Sequence, residues 1–347
     1  MKKRLSKLSG SQAFWPVIIF LAIILFNTIM TKGEFLSISI VDGHFYGRII
    51  DIFRNGGKLM ILAAGMTMVL ATGGTDISVG SVMAISGAIA CSVINGNLFP
   101  GLGGNVAMAI ILASLAGTVC GLWNGFLVSR IKIQPIVATM ILLVAGRGIA
   151  QLITNGKIIT INSDAYYFIN GGYILGLPFP LYIVLFLVGL LLLFVQKTAF
   201  GLFLESIGCN PLASRFAGIK VNRFLLAIYT ISGAFASVAG LIESAGIKGA
   251  DCNNAGLNIE LDAILAVAIG GTNLMGGRFS IFSSVIGALI VQSITTTVLA
   301  LGVPAAYIRV LKAVLIIVIC LAQSSKFKVS VSRLFVSRKG RKEAVAL

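Results

Sequence analysis

FGLFLESIGCNPLASRFAGI, residues 200–219, is an amphipathic, partly polar interruption between two almost continuously apolar stretches. Gly201, Gly208 and Asn210-Pro211 are expected to break it into short turns. Glu205 and Arg215 are its polar marks; Leu202, Phe203, Ile207, Leu212 and Phe216 are its apolar ones. Such a segment in an otherwise economical membrane chain predicts a docking surface for a soluble partner. Outward from it, composition sets the class. The chain is 57% hydrophobic and 11% charged, with a mean hydropathy of +1.01, far from the ~25% charged content of soluble domains.

A spanning helix needs about 20 apolar residues, and roughly ten such segments can be read here: 13–30, 57–72, 77–94, 105–128, 135–153, 179–196, 222–245, 259–275, 279–301 and 305–323. The short third span reads as a broken or tilted helix. The expectation is an all-α integral membrane protein of about ten transmembrane helices, in which 13–30 is an anchor and not a signal peptide.

The net charge is +16, and its placement argues against a nucleic-acid partner. With ten spans, Lys2, Lys3, Arg4 and Lys7, Arg130 and Lys132, Lys197, Arg215, Lys220 and Arg223, and the basic tail 326–347 all fall on one face. The positive-inside rule then makes both termini cytoplasmic, with the tail against anionic lipid. Five cysteines lack paired spacing and there is one histidine, His44, so neither a disulfide framework nor a metal site is expected.

Gly117, Gly121 and Gly125 leave one helix face bare for a neighbouring backbone. Asn124 lies in that same apolar helix, where an amide must bond a neighbour or face a wet cavity. Two similar breaks, Gly73-Gly74-Thr75-Asp76-Ile77 and Gly270-Gly271-Thr272-Asn273-Leu274, follow the second and eighth spans and read as cavity walls or hinges. Of the few ionisable residues in spans, Arg147, Arg309, Lys312, Glu260, Asp262 and Glu243 sit toward the outer third, where long side chains snorkel to water.

No G-x-x-x-x-G-K-[ST] motif, G-x-S-x-G motif, H-E-x-x-H motif or mid-depth chain of carboxylates occurs. The chain reads as a permease subunit driven by a separate ATPase, and not as an enzyme.

At this point three motifs carry a resemblance. TGGTDISVGS (72–81) is similar to the TGGIDLSVGS signature of the ribose-type permeases of bacterial ATP-binding-cassette (ABC) sugar importers. FAGIKVNRFLLAIYTISGAFASVAG (216–240) and ELDAILAVAIGGTNLMGGRFS (260–280) resemble two further signatures, and the likeness covers nearly the whole chain. The form IKGADCNNAGLNIELDAILAV (247–267) followed by LMGGRFS (274–280) resembles the galactofuranose-importer branch.

The resemblance implies a type II importer fold like that of the vitamin B12 permease, in the bacterial inner membrane. It implies one permease domain over 1–325, with the tail 326–347 behind it. It also implies a second and different permease subunit, a periplasmic sugar-binding protein, and a cytoplasmic partner that binds ATP and Mg, with no cofactor in this chain. The region 197–220 then matches the family's coupling loop, with Glu205, Gly208, Asn210, Ala213 and Gly218 on its motif positions. Thr75, Cys209 and Cys252 depart from the usual spelling.

An uncharged sugar is held by hydrogen-bonding side chains, which makes Thr72, Asp76, Asn124, Thr139 and Asn273 the path candidates; Asp76 has an alternative as a helix N-cap. Ribose, xylose or galactosides remain alternative cargoes, and an ion-coupled secondary sugar transporter is the rival class.

Overall fold

The computed structural model describes residues 13–41, 43–304, 307–308, 310–314 and 317. The N-terminal lysines, Arg309, most of the expected tenth span and the tail 326–347 lie outside the described residues. Packing divides the chain into a unit ending at Ile294 and a unit beginning at Thr295.

The described residues are mostly helical. In chain order the helices are α1 (Phe14–Met30), α2 (Arg48–Ala71), α3 (Val79–Ile94), α4 (Val106–Phe126), α5 (Pro135–Ile153), α6 (Asp164–Gly171), α7 (Phe179–Lys197), α8 (Phe200–Cys209), α9 (Pro211–Phe216), α10 (Val221–Gly246), α11 (Ile259–Ile269) and α12 (Ile281–Ala300). Three antiparallel ribbons, which the all-α expectation lacked, close the connections. They pair β1 (Ser39–Val41) with β2 (His44–Tyr46), β3 (Ile159–Thr160) with β6 (Gly249–Ala250), and β4 (Tyr173–Ile174) with β5 (Leu177–Pro178).

Among the described residues, five helices are long and apolar enough to cross a membrane: α4 with its π-turn extension to Ile131, α5, α7, α10 and α12. The 26 residues of α10 span ~39 Å at ~1.5 Å each, enough to cross with some tilt. Large apolar side chains such as Val144, Leu152, Phe186 and Leu190 are exposed on α5 and α7, as lipid-facing surfaces require.

Several boundaries depart from the hydropathy reading. Helix α2 begins nine residues before the expected 57, and two of its charged side chains reach other helices. Lys58 Nζ pairs with Glu243 Oε2 of α10 at 2.8 Å, and Arg54 Nε donates to the Asn170 carbonyl of α6 at 3.2 Å. Helix α11 stops at Ile269 instead of continuing to 275, since Gly271 turns into the left-handed region at φ +78°. Glu243 is held by Lys58, in a pair that stays partly exposed.

The core is built by close backbone approach. Gly117 of α4 lies against Gly233 and Ser237 of α10, Gly121 against Tyr229 and Gly233, and Gly125 against Leu226. The bare glycine face read from the sequence is thus filled by one helix, α10.

Candidate functional site

The two glycine-rich breaks do interrupt helices, and the structure brings them together. After α2 the chain is non-helical until Val79, and after α11 until Ile281. The Gly277 amide donates to the Ala71 carbonyl at 2.9 Å, joining the second break to the end of α2. Gly276, at φ +94°, packs on the Gly73 amide and on the carbonyl of Gly208 in α8.

The interrupting segment 200–219 therefore rests on this junction. Neither Gly201 nor Gly208 breaks it, since both lie inside α8. A Cβ on Gly208 would strike the Ala71 carbonyl and the Gly277 amide, so glycine serves here as a seat and not as a turn. The break falls at Asn210-Pro211 alone. Pro211 occupies the first turn of α9, and the Asn210 Oδ1 accepts from the Leu212 and Ala213 amides, both at 3.0 Å. Gly218 ends the segment at φ +86°. Leu204 and Ile207 are buried in the seat, whereas Leu212 is 66% and Phe216 91% exposed. Glu205 is half-buried in α8 and Ala213 exposed in α9. Thr72 and Asn273 stand at the same junction. The Thr72 hydroxyl donates to the Val69 carbonyl at 2.7 Å, and the exposed Asn273 Oδ1 accepts from the Met275 amide at 3.1 Å.

The other three path candidates meet in a separate, closed polar knot. Asp76 is 2% and Asn124 0% exposed. Asp76 Oδ1 accepts from the Ser78 amide at 3.0 Å and hydroxyl at 2.6 Å, and Oδ2 accepts from the Ser232 hydroxyl of α10 at 2.8 Å. The Asn124 amide of α4 donates to Ser78 Oγ at 2.8 Å. Thr139 of α5 accepts from the Ile77 amide at 3.3 Å, and its hydroxyl reaches the Thr75 carbonyl at 3.4 Å. Asp76 is not the N-cap of α3, a position that Ser78 occupies; its carboxylate ties the break to α10. The Tyr229 hydroxyl, tucked against Gly74, and Asn124 Oδ1 are buried without partners beside it.

Sequence reading missed Ser78, Ser232 and Tyr229. Ser78 was within reach, lying two residues after Asp76 in the motif. Ser232 and Tyr229 were not, because 156 residues separate Ser232 from the carboxylate it serves.

A second irregular segment, 251–258, packs against the start of α3. It leaves β6 and folds back along α3 and α5, with Cys252 buried among Ala84, Ile85, Ala88 and Ala150. Gly256 then meets Gly80 backbone to backbone. Its carbonyls need donors in an apolar surrounding, and Arg147 of α5 supplies them: Nη1 donates to the Cys252 carbonyl at 3.0 Å and the Ala255 carbonyl at 2.5 Å. Arg147 is therefore a cap for interrupted backbone rather than a snorkelling side chain. The Asp251 carboxylate, bonded by the Asn254 side-chain amide and by the backbone amides of Asn253 and Asn254, is held below its usual pKa by those bonds and stays ionised at neutral pH.

Helix breaks joined at glycines, with buried polar groups beside them, form an arrangement found in transporters. The comparisons agree. The family described as the permease component of branched-chain amino acid transport systems matches residues 48–320. The chain belongs to that permease family.

Within it, the permease is 44% identical to the galactofuranose transporter permease protein YtfT of Escherichia coli (strain K12), over 90% of each chain. It is 38% identical to the fructose import permease protein FruF of Bifidobacterium longum, over 92% of this chain and 90% of that one. It is 34% identical to the ribose import permease protein RbsC of Escherichia coli (strain K12), over 83% of this chain and 90% of that one. No solved structure matches it. The permease is a multi-pass membrane transport subunit of the ABC sugar-importer type.

Proposed function

We propose that this permease carries a monosaccharide, galactofuranose first among the candidates, across the bacterial inner membrane as one of two different permease subunits. It has about ten spans in a type II arrangement, 1–325 forming one transmembrane domain, both termini and the tail 326–347 being cytoplasmic. A periplasmic binding protein delivers the sugar, and a separate cytoplasmic ATPase binds ATP and Mg. The seating of α8–α9 on the junction of the two helix breaks is the observation that carries this reading. An ATPase gripping the exposed Leu212 and Phe216 face would push α8, and α8 bears directly on the ends of α2 and of the 270–280 break. Closure of the ATPase thereby becomes movement of the interrupted helices. Glu205 and Ala213 would meet the partner, and Gly208, Asn210 and Gly218 shape the lever. Thr72 and Asn273 stand on the sugar's exit side, while Asp76, Asn124 and Thr139 border the path from within the knot.

The similarity to the galactofuranose permease supports the cargo, and the fructose and ribose permeases are the relatives that argue for other sugars. The test is uptake in proteoliposomes containing the chain, its partner permease, the ATPase and the binding protein. Phe216→Ala is expected to leave assembly intact while separating ATP hydrolysis from uptake. Uptake by this chain alone on a proton or sodium gradient overturns the importer reading.

A further inference from the structure

Four cations from three stretches of the chain converge on one hollow. Arg130 in the π-turn that ends α4, Arg215 in α9, and Lys220 and Arg223 at the start of α10 line a cavity of about 350 Å³, with Ile219 and Asn222 between them. That volume falls within the ~300–1,000 Å³ range of small-molecule sites. No carboxylate lines it, and among the described residues none of the four cations is ion-paired. Arg215 donates from Nη2 to the neutral Asn222 Oδ1, at 3.4 Å.

Like charges gathered in one concavity repel one another, and its low-dielectric walls focus their field on an anion. The start of α10 adds a partial positive charge of its own, and its N-cap, Lys220, makes no side-chain hydrogen bond there. Charge placement along the sequence accounts for the sign of these residues. It does not account for their convergence, since Arg130 and Arg223 lie far apart in the chain.

Position selects the kind of anion. The hollow lies where α4 ends and α10 begins, two helices long and apolar enough to cross a membrane, and so at the edge of the hydrocarbon layer. On α4, Phe126 and Trp123 precede Arg130 by about one and two turns, and both are exposed. Such aromatic side chains sit at headgroup level. Leu122, Val119 and Leu115 carry the exposed apolar stripe onward at helical spacing.

We infer that this hollow seats the phosphate headgroup of one anionic phospholipid, its acyl chains lying along the Phe126–Leu115 stripe of α4. The guanidinium groups of Arg130, Arg215 and Arg223 offer paired N–H donors that fit phosphate oxygens, and Lys220 adds a point charge. A zwitterionic headgroup has the same phosphate but brings a cation that the four basic residues repel. The bound lipid ties the end of α4 to the corner between α9 and α10, where the exposed lever joins the membrane helices.

The test is native mass spectrometry of the full chain released from detergent micelles that hold equal amounts of dioleoyl phosphatidylglycerol and dioleoyl phosphatidylcholine. Preferential retention of phosphatidylglycerol is expected. The preference should fall about fivefold in Arg130→Gln, and about as much again when Arg223→Gln is added. Both side chains are exposed, so the variants keep the fold; Lys157→Gln, an exposed cation outside the hollow, should change nothing. An equal fall in Lys157→Gln means diffuse attraction and overturns the site. Displacement of the lipid by inorganic phosphate at comparable concentration overturns the lipid as occupant in favour of the free ion. Equal retention of the two lipids by the unaltered chain also overturns it, and leaves the cations to an acidic face of a protein partner.

Discussion

Asp76 is the residue on which the membrane core turns. It is a buried carboxylate whose bonds come from two serines and one backbone amide. Each donor satisfies an oxygen that has no water to turn to, so removing one leaves an exposed cost instead of a lost bonus. Ser232→Ala is expected to destabilise the protein by about 1–3 kcal/mol, read as a lower thermal midpoint in detergent. Combined with Asp76→Asn, the loss should be less than additive, because the two groups share one bond. Additive losses would show that the serine acts elsewhere. The TGGTDISVGS motif marked Asp76 as special, yet what it does depends on Ser232, and nothing local in the sequence connects the two.

Among elements, α8 is the informative one. Its hydrophobic face reads from sequence as amphipathic, and the buried Leu204 and Ile207 agree with that reading. Its glycines were read as breakers because local propensity makes them so; only the packed partner shows that Gly208 is small for the sake of Ala71 and Gly277. Gly208→Ala is expected to lower stability and loosen the junction. Gly189→Ala, in α7 with open space around its Cα, should be neutral or stabilising by up to about 1 kcal/mol through helix propensity. Thermal unfolding of the two variants side by side in nanodiscs checks this, and equal effects would dismiss the seat. The contrast between α5 and α11 has a similar cause. Helix α5 runs from Pro135 to Ile153 as its composition predicts, whereas α11 is cut short by a glycine turn inside an apolar run that hydropathy counts as continuous.

For the molecule as a whole, the orientation proposed from charge placement has a direct probe in the structure. Cys209 is exposed beside the α8–α9 lever, whereas Cys91 and Cys252 are buried. A membrane-impermeant maleimide is expected to label Cys209 in inverted vesicles and not in intact spheroplasts, with peptide mapping to identify the site. Labelling from the outside would invert the topology and remove the lever from the ATPase.

The sequence by itself determined that the chain lives in a bilayer, where its helices run to within a few residues for most spans, and which family it belongs to. Those properties are written in composition, charge placement and short contiguous motifs, all of which are local along the chain. Only the tertiary structure decided that the two glycine breaks and α8 share one junction, that Arg147 caps an irregular segment, and that Glu260 packs against Gly80 of α3. Those are contacts between residues far apart in sequence, set by how helices pack, and hydropathy, which averages over one window at a time, carries no record of them.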